Sequence, residues 1–277
     1  MWDYRGLRPL SKRPEGFFED GHFWIREFVL GGTFAVRMEG SGLLTVRGPD
    51  GEFESGMEPW PYRRAVQTVR ADFDREQLRE AVPDPADYTV YLLAPLSMGI
   101  EYDWSSLPPV LGLDVWDGPN EEYATLDVAE RAFEAIDLPP VPTTAREVPA
   151  RDLGPDRIDI PPSRWADDPA AGVAVRKKHG PAVSVLRDPF DGVSRDSPEP
   201  AGVPDFDAWL SETLDPATVR AWLDGDRPLD ARNIETLTDQ VGAELARRAF
   251  DAAGEIAMTD PDGYRAAIRE WVIENRE

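Results

Sequence analysis

The change of pattern near residue 190 constrains the fold of this chain more than any other feature of its sequence. Residues 1–190 contain short alternating or apolar runs separated by turn residues, which is typical of β-strands. Residues 191–204 are rich in Asp, Ser, Gly and Pro and are predicted to be a linker. Residues 205–277 carry helical patterns with one apolar side. We therefore predict an α+β protein, with a mainly antiparallel β domain (1–190) and flanking helices followed by an α-helical domain (205–277).

Apolar runs and turn residues predict where the strands lie. Gly40, Ser41 and Gly42 separate two alternating segments, which indicates a β-hairpin. Two later runs are apolar on both sides and are typical of buried strands. A second strand pair surrounds a polar tip at residues 177–180. The predicted strands are 33–37, 43–47, 88–93, 110–116, 172–176 and 182–186.

Apolar residues at helical spacing predict the helices. Residues 59–82 are helical in pattern, and Asp74 is placed to cap a short helix over 75–81. A second amphipathic helix covers 125–136, and the Pro-rich segment 139–169 is predicted to be a connecting loop with short extended pieces. The last domain has four patterns, at 206–210, 219–223, 234–250 and 264–272. Their apolar sides pack on each other, on the β domain or, alternatively, on a second copy of the chain.

The charged residues are strongly unbalanced. The chain has 30 Lys plus Arg against 53 Asp plus Glu, a formal net charge of -23, and only three of the basic residues are lysines (Lys12, Lys177 and Lys178). A carboxylate-rich, lysine-poor surface suits a protein that stays soluble in molar salt, where the Debye length is about 3 Å. We expect a halophilic source. The acidity therefore does not exclude nucleic acid as a partner.

Several classes of site and location are excluded by the residues that are missing. Without cysteine there is no disulfide scaffold, zinc finger, iron–sulfur cluster or cysteine nucleophile, and two histidines cannot form a multi-histidine metal site. No phosphate-binding Gly-rich loop and no Gly-x-Ser-x-Gly motif occurs. Asp114 and Asp117 beside Trp116 suit Mg²⁺, or are strand-end carboxylates without a metal. The longest apolar stretch, 88–100, is too short to span a membrane, so we expect a soluble, cytoplasmic protein without membrane contact.

The order of the segments carries more information than any single motif. The strand WIREFVLGG at 24–32 leads into the Gly-turn hairpin and is followed by YLLA at 91–94, YDW at 102–104 and LGLDVWD at 111–117. The last two segments are AAGVAVR at 170–176 and SVLRDPF at 184–190. Over residues 15–190 this series resembles the ATP-dependent RNA ligases, a family of covalent nucleotidyltransferases, and most closely their archaeal members. The resemblance implies an ATP-grasp-like nucleotidyltransferase domain followed by a helical domain.

In that family a lysine attacks the α-phosphate of ATP, with Mg²⁺ on the phosphates, and the AMP is passed to an RNA 5′-phosphate that a 3′-hydroxyl then joins. The resemblance places Phe28 at the lysine, Leu30 at the motif aspartate and Ala35 at a following arginine. Two glutamates fall at Leu93 and Ala171, and a lysine of the last strand falls at Ser184. Other pocket positions are retained as remnants, namely Glu27, Gly31, Asp114, Trp116, Gly172 and Arg176.

We expect these replacements to fill the former ATP site with apolar side chains, because the original charges are costly to bury without a ligand. The leading hypothesis is a pseudo-ligase without self-adenylylation and without a cofactor, which binds RNA ends or an active ligase paralogue. One alternative is an active ligase that uses ATP and Mg²⁺ with a displaced nucleophile at Lys12, Lys177 or Lys178. Another is a module that forms a homodimer through its C-terminal helices.

Clustered cations are notable in so acidic a chain, because phosphate contacts dominate nucleic-acid affinity. They predict an RNA-contacting surface, unless they are only solvent-facing residues. The candidate residues are Arg63, Arg64, Arg70, Lys177, Lys178, His179 and Arg187.

Overall fold

The computed structural model describes residue 4 and residues 7–178, 180–195, 198–223 and 233–275, which form two β-sheets and eight α-helices. The strands are β1 (Leu7–Pro9), β2 (His22–Glu27), β3 (Gly31–Met38), β4 (Leu44–Gly48), β5 (Gly51–Glu52), β6 (Tyr88–Pro95), β7 (Leu111–Asp117), β8 (Glu122–Tyr123), β9 (Thr143–Pro149), β10 (Gly172–Lys177) and β11 (Ala182–Leu186). The helices are α1 (Trp60–Asp72), α2 (Arg75–Ala81), α3 (Leu126–Ala135), α4 (Phe206–Thr213), α5 (Pro216–Trp222), α6 (Ile234–Arg248), α7 (Phe250–Thr259) and α8 (Pro261–Asn275).

Antiparallel pairing dominates both sheets. The six-stranded sheet has the order β5-β4-β3-β6-β7-β8, and the five-stranded sheet has the order β1-β11-β10-β2-β9. Among the described strands, β1 and β11 alone pair in parallel. The predicted hairpin is confirmed, because β3 and β4 pair from Ala35 with Arg47 to Met38 with Leu44.

Strand β6 explains why the central apolar runs have no polar side. Its side chains alternate between two cores, as the period of two in a strand requires. Val90, Leu92 and Ala94 pack towards helices α1 and α3, whereas Tyr91 and Leu93 pack towards the five-stranded sheet. The sheet is therefore covered on both faces.

The predicted helical segment 59–82 forms two helices. Asp74 caps α2 as predicted, because its Oδ1 accepts hydrogen bonds from the backbone N–H groups of Glu76 (3.0 Å) and Gln77 (2.9 Å). The helix predicted over 125–136 is confirmed by α3.

Two predictions of secondary structure are wrong in detail. Segment 139–169 contains the seven-residue strand β9, which tolerates its terminal Pro149 because it lies at the edge of its sheet. The third C-terminal pattern also divides, because the backbone leaves the helical conformation at Ala249, with φ -132° and ψ 40°, before α7 begins. Its apolar stripe continues across that break and therefore hides it from a periodicity argument.

The C-terminal helices pack on helix α1 of the preceding part of the chain. Trp60 is 2% exposed and lies among apolar side chains of α4 to α8. The approach is close, because a Cβ on Gly242 would lie 2.6 Å from the Trp60 ring. The apolar stripes thus cover each other and Trp60. No helix among the described residues is long and apolar enough to cross a membrane.

Candidate functional site

Five of the six positions that the resemblance assigns to lost ligase groups lie in one buried apolar cluster between the two sheets. Their exposed fractions are 2% or less. They share the cluster with aromatic residues that include Tyr91, Tyr102 and Trp165. Ser184 is partly buried on β11, and its hydroxyl lies 3.4 Å from the carbonyl of Arg8. The five clustered positions are Phe28, Leu30, Ala35, Leu93 and Ala171.

Backbone hydrogen bonds hold Phe28 and Leu30 in this cluster. Phe28 follows the end of β2, and its N–H donates to the carbonyl of Gly172 at 2.9 Å. The N–H of Leu30 donates to the hydroxyl oxygen of Tyr102 at 2.9 Å. Burial raises the pKa of Tyr102 well above its usual value, so this hydroxyl stays neutral. Both motif positions are therefore fixed by groups that face the inside of the protein.

Arg195 covers Phe28 from the segment that was predicted to be a linker. Its guanidinium carbon lies 3.8 Å from the centre of the Phe28 ring, and its Nε donates to the carbonyl of Val29 at 2.9 Å. The residue is 5% exposed, and its own carbonyl accepts from the N–H of Thr33 at 2.8 Å. Sequence reasoning missed this residue. The available signal was that Arg195 is the single basic residue of segment 191–204.

The remnant carboxylate of Glu27 is bound by groups of the protein. Its Oε1 accepts from the hydroxyl of Ser163 at 2.7 Å, and its Oε2 accepts from the N–H of Arg164 at 3.1 Å. Both donors come from the Pro-rich segment before β10. Glu27 is 2% exposed, so water does not hydrate its carboxylate. The two hydrogen bonds from Ser163 and Arg164 take the place of that hydration.

The remnants Asp114 and Arg176 form a buried ion pair that links β7 to β10. The hydroxyl of Tyr4 donates to Asp114 Oδ2 at 3.1 Å, and Arg176 Nη2 donates to the carbonyl of Ala124 at 2.9 Å. Burial acts to lower the pKa of Arg176, but Asp114, together with Tyr4 and Tyr123, outweighs this effect and the guanidinium pKa is raised.

Arg26 adds a second link between the sheets. Its guanidinium donates from β2 to two carbonyls of β7, those of Leu113 at 2.6 Å and Gly112 at 2.9 Å. Burial lowers the pKa of Arg26, although Asp114 acts in the opposite direction. Arg26 and Arg176 of the five-stranded sheet are therefore both bound by residues of β7 in the six-stranded sheet.

The other three pocket positions, Gly31, Trp116 and Gly172, make contacts that stabilise the fold. A Cβ on Gly172 would lie 2.2 Å from the carbonyl oxygen of Val185, so the hairpin of β10 and β11 requires glycine there. Gly31 pairs with Pro95 in the six-stranded sheet. Trp116 is partly buried, with its ring 5.1 Å from that of Tyr123.

The candidate RNA cations do not form one surface. Lys177 pairs with Asp20 at 2.6 Å and Lys178 with Glu147 at 2.7 Å, both near the tip of the hairpin. Arg187 lies beyond the other end of this hairpin, where it donates to the carbonyls of Ala170 and Pro169. A five-residue strand separates these two ends by about 16 Å. His179 lies outside the described residues.

The three arginines of α1 form ion pairs, two of them with the C-terminal helices. Arg63 pairs with Asp239 and Arg64 with Glu244, both on α6. Arg70 pairs with Glu58, which is 2% exposed. Arg63 and Arg64 therefore contribute to packing between α1 and α6, whereas Arg70 binds a residue just before α1.

The residues at this site do not fit a metal-bound triphosphate. Across the described ranges no three His, Cys, Asp or Glu side chains are grouped so as to hold a metal ion. Both oxygens of Asp114 are engaged by Tyr4 and Arg176, and both oxygens of Asp117 accept from Asn120. Apolar side chains occupy the positions where the resemblance expects the reacting groups. No step through ATP or Mg²⁺ can be assigned to these residues.

Solved structures of Naegleria gruberi RNA ligase are similar to this chain. The ligase with pyrophosphate matches with a TM-score of 0.50 and 11% identity over 69% of this chain and 57% of the ligase chain. A mutant with ATP and Mn matches with a TM-score of 0.51 and 13% identity over 69% and 57%. An apo mutant matches with a TM-score of 0.50 and 13% identity over 70% and 58%. No protein-family model and no curated protein matches the sequence.

These likenesses confirm the predicted fold class, an α+β fold of the RNA ligase nucleotidyltransferase type. At 11–13% identity they show the fold alone. This chain spans slightly less than three fifths of the length of the ligases that it matches.

The contact between Arg195 and Phe28 predicts that a substitution in the predicted linker segment has a large effect on stability. Arg195→Met keeps an aliphatic chain but loses the guanidinium and its bond to the Val29 carbonyl. We expect the free energy of unfolding to fall by about 1–3 kcal/mol, because a buried acceptor loses its donor. Denaturant unfolding measures this change. Arg47→Met, at an exposed arginine, is the control and should change little. Equal stability of Arg195→Met and the unchanged protein would show that Arg195 does not hold the site closed.

The buried Tyr4 hydroxyl predicts a pH dependence of stability. Burial, and then the charge of Asp114, raise its pKa well above the usual value of about 10. The folded protein therefore keeps this proton where the unfolded chain loses it, so the contribution is complete below about pH 10 and is lost as pH rises further. Above pH 10, Tyr4 lowers the free energy of unfolding by about 1.4 kcal/mol per pH unit, and Tyr4→Phe should remove this part of the fall. Denaturant unfolding between pH 8 and about pH 11 tests this. Parallel curves for the two proteins would mean that Tyr4 is not buried.

Proposed function

We propose that this chain is an RNA ligase-like protein that does not adenylylate itself and acts as a pseudo-ligase that binds RNA ends or regulates an active ligase. One observation carries the proposal, the apolar cluster of Phe28, Leu30, Ala35, Leu93 and Ala171 under the guanidinium of Arg195. A covalent nucleotidyl transfer requires an amine nucleophile and cations around the phosphates. This cluster supplies neither.

The replacements are physically consistent with each other. A pocket that keeps Lys, Asp and Glu buried without ATP and Mg²⁺ carries a desolvation cost of several kcal/mol per unpaired charge. Phe28, Leu30 and Leu93 remove those charges and fill the space with apolar volume. A protein that no longer needs the nucleotide gains stability by each of these changes, which explains why they occur together.

The lysines that remain are poorly placed to replace the lost nucleophile. Lys177 lies opposite Phe23 in the strand register, whereas Phe28 is bonded to Gly172 at the other end of β10. The hydrogen bond with Glu147 raises the pKa of Lys178, which favours the non-nucleophilic ammonium form. Lys12 is exposed just after β1.

The proposal predicts that the chain forms no covalent adenylate. Incubation with α-labelled ATP and Mg²⁺, in dilute buffer and in molar KCl, should give no acid-stable labelled protein band. The triple variant Lys12→Arg, Lys177→Arg, Lys178→Arg is the control and should give the same blank result. A labelled band that disappears in this variant would establish the competing function, an active ATP- and Mg²⁺-dependent ligase with a displaced nucleophile.

RNA binding is proposed for the hairpin tip, where Lys177 and Lys178 lie side by side. The tip carries both positive and negative charges, because Asp20 and Glu147 pair with the two lysines. An RNA phosphate must therefore compete with these carboxylates. The carboxylates are exposed, so this competition costs little in salt. An archaeal, halophilic and cytoplasmic origin belongs to the same proposal and is supported by the lysine-poor, acidic composition.

The tip predicts a measurable salt dependence. The double variant Lys177→Ala, Lys178→Ala should bind a 5′-phosphorylated RNA more weakly, and the slope of log K against log salt should fall by about 1–2. Filter binding over a range of KCl concentrations measures both quantities. Lys12→Ala is the matched control and should keep the slope. Unchanged binding in the double variant would remove the tip from the proposed RNA surface.

A further inference from the structure

A groove beside strand β5 is separate from the site described above. It has a volume of about 340 Å³, and its apolar lining includes Phe53, Met57, Pro59 and Tyr62. Met57 is 73% exposed, the highest value among the large exposed apolar residues of the described chain. The rings of Phe53 and Tyr62 lie 5.3 Å apart and form one corner of the groove. This is apolar surface of a kind that commonly marks a binding site.

The groove runs along an edge of the six-stranded sheet on which no other described strand pairs. Strand β5 is the outer strand of the six-stranded sheet, and Glu52 lies opposite Arg47 of β4. The N–H of Phe53 donates inwards to the carbonyl of Val46 at 2.9 Å. In an antiparallel pair, neighbouring residues alternate in direction, so the N–H and C=O of Glu52 point away from β4. An extended peptide is able to pair with such an edge.

Three carboxylates border the apolar floor. Asp50, Glu52 and Glu54 line the groove and are exposed. None of these three carboxylates forms an ion pair with another residue that the structure describes. Arg47, which lies opposite Glu52 on β4, forms no ion pair with a described residue either. The groove therefore combines apolar surface with three carboxylates that outnumber the one arginine beside them.

The charge decides between the occupants. Molar salt screens charges over more than about 3 Å, so the charges in direct contact with the groove decide. A second copy would bring a chain in which Asp plus Glu outnumber Lys plus Arg by 53 to 30, and an RNA would bring phosphates against three carboxylates. A basic segment of another protein is attracted. We propose that this groove binds an extended peptide segment of a partner protein, in which arginine or lysine residues flank a large apolar side chain.

The two parts of the groove recognise different features of that segment. Side chains of an added strand alternate in direction, so one apolar residue faces Phe53, Met57 and Tyr62 while its neighbours face the rim. The basic neighbours pair with Asp50, Glu52 and Glu54. Backbone bonds to the N–H and C=O of Glu52 hold the segment along the sheet edge. The inference does not depend on whether the ligase-like site is active.

Selection from a displayed library of random heptapeptides, with the full chain as target, tests the proposal. We expect the selected peptides to carry Arg or Lys on both sides of an apolar residue. A selected peptide, synthesised with a fluorophore, should bind about tenfold more weakly to Met57→Ala and to Glu52→Lys, as measured by fluorescence anisotropy. The matched controls lie outside the groove. They are Leu43→Ala, at an apolar residue that is 68% exposed, and Glu134→Lys, at an exposed carboxylate of α3. Both should bind like the unchanged protein.

Changes in the peptide keep the test valid if a variant does not fold. Replacing the basic residues of the peptide by glutamate should abolish binding to the unchanged protein. N-methylation of the peptide residue whose backbone pairs with Glu52 should do the same. The proposal is overturned if no basic peptides are selected, or if the control variants lose as much affinity as the groove variants. A dimer that Met57→Ala dissociates in sedimentation, or an RNA that displaces the peptide, would assign the groove to another occupant and overturn it as well.

Discussion

The packing of the two sheets through Phe28 and its apolar neighbours is the constraint on which the rest of this structure depends. Phe28 follows the end of β2 in one sheet and lies in a single apolar cluster with Leu93 and Tyr91 of the other. Arg195 closes this cluster through its contact with the Phe28 ring, so the chain is held at the site at residue 195. Under the proposed function, a nucleotide would have to enter the space that these side chains occupy. The residues that hold the two sheets together are then the same residues that are proposed to disfavour nucleotide binding.

Charged groups complete the connection at the edge of this apolar region. Arg26 and Arg176 extend from the five-stranded sheet to β7, where Asp114 and two backbone carbonyls receive them. Such buried pairs contribute little net stability, but removing one partner is costly because the other charge remains. They fix the relative position of the sheets, and Tyr4 shields Asp114 from water. Arg26, Asp114 and Arg176 thus serve as structural links between the two sheets.

Local sequence patterns predicted most of the fold, because strands such as β6 and β7 and the cap at Asp74 depend on neighbouring residues. The fold class followed from the order of segments. The contact of Arg195 with Phe28 was not predictable, because 166 residues separate Arg195 from Val29, whose carbonyl it binds. Strand β9 was missed because prolines mask an edge strand, and the break at Ala249 was missed because the apolar stripe continues across it. Long-range contacts and interrupted helices leave little trace in local periodicity.

Equilibrium dialysis with labelled ATP and excess Mg²⁺ tests the central claim most directly, because it measures occupancy of the pocket whether or not a covalent bond forms. The filled cluster around Phe28 predicts that the protein compartment retains no nucleotide above the free concentration, in dilute buffer or in molar KCl. Saturable retention of one ATP per chain, lost in a variant that enlarges a side chain of the cluster such as Ala171→Phe, would contradict the account.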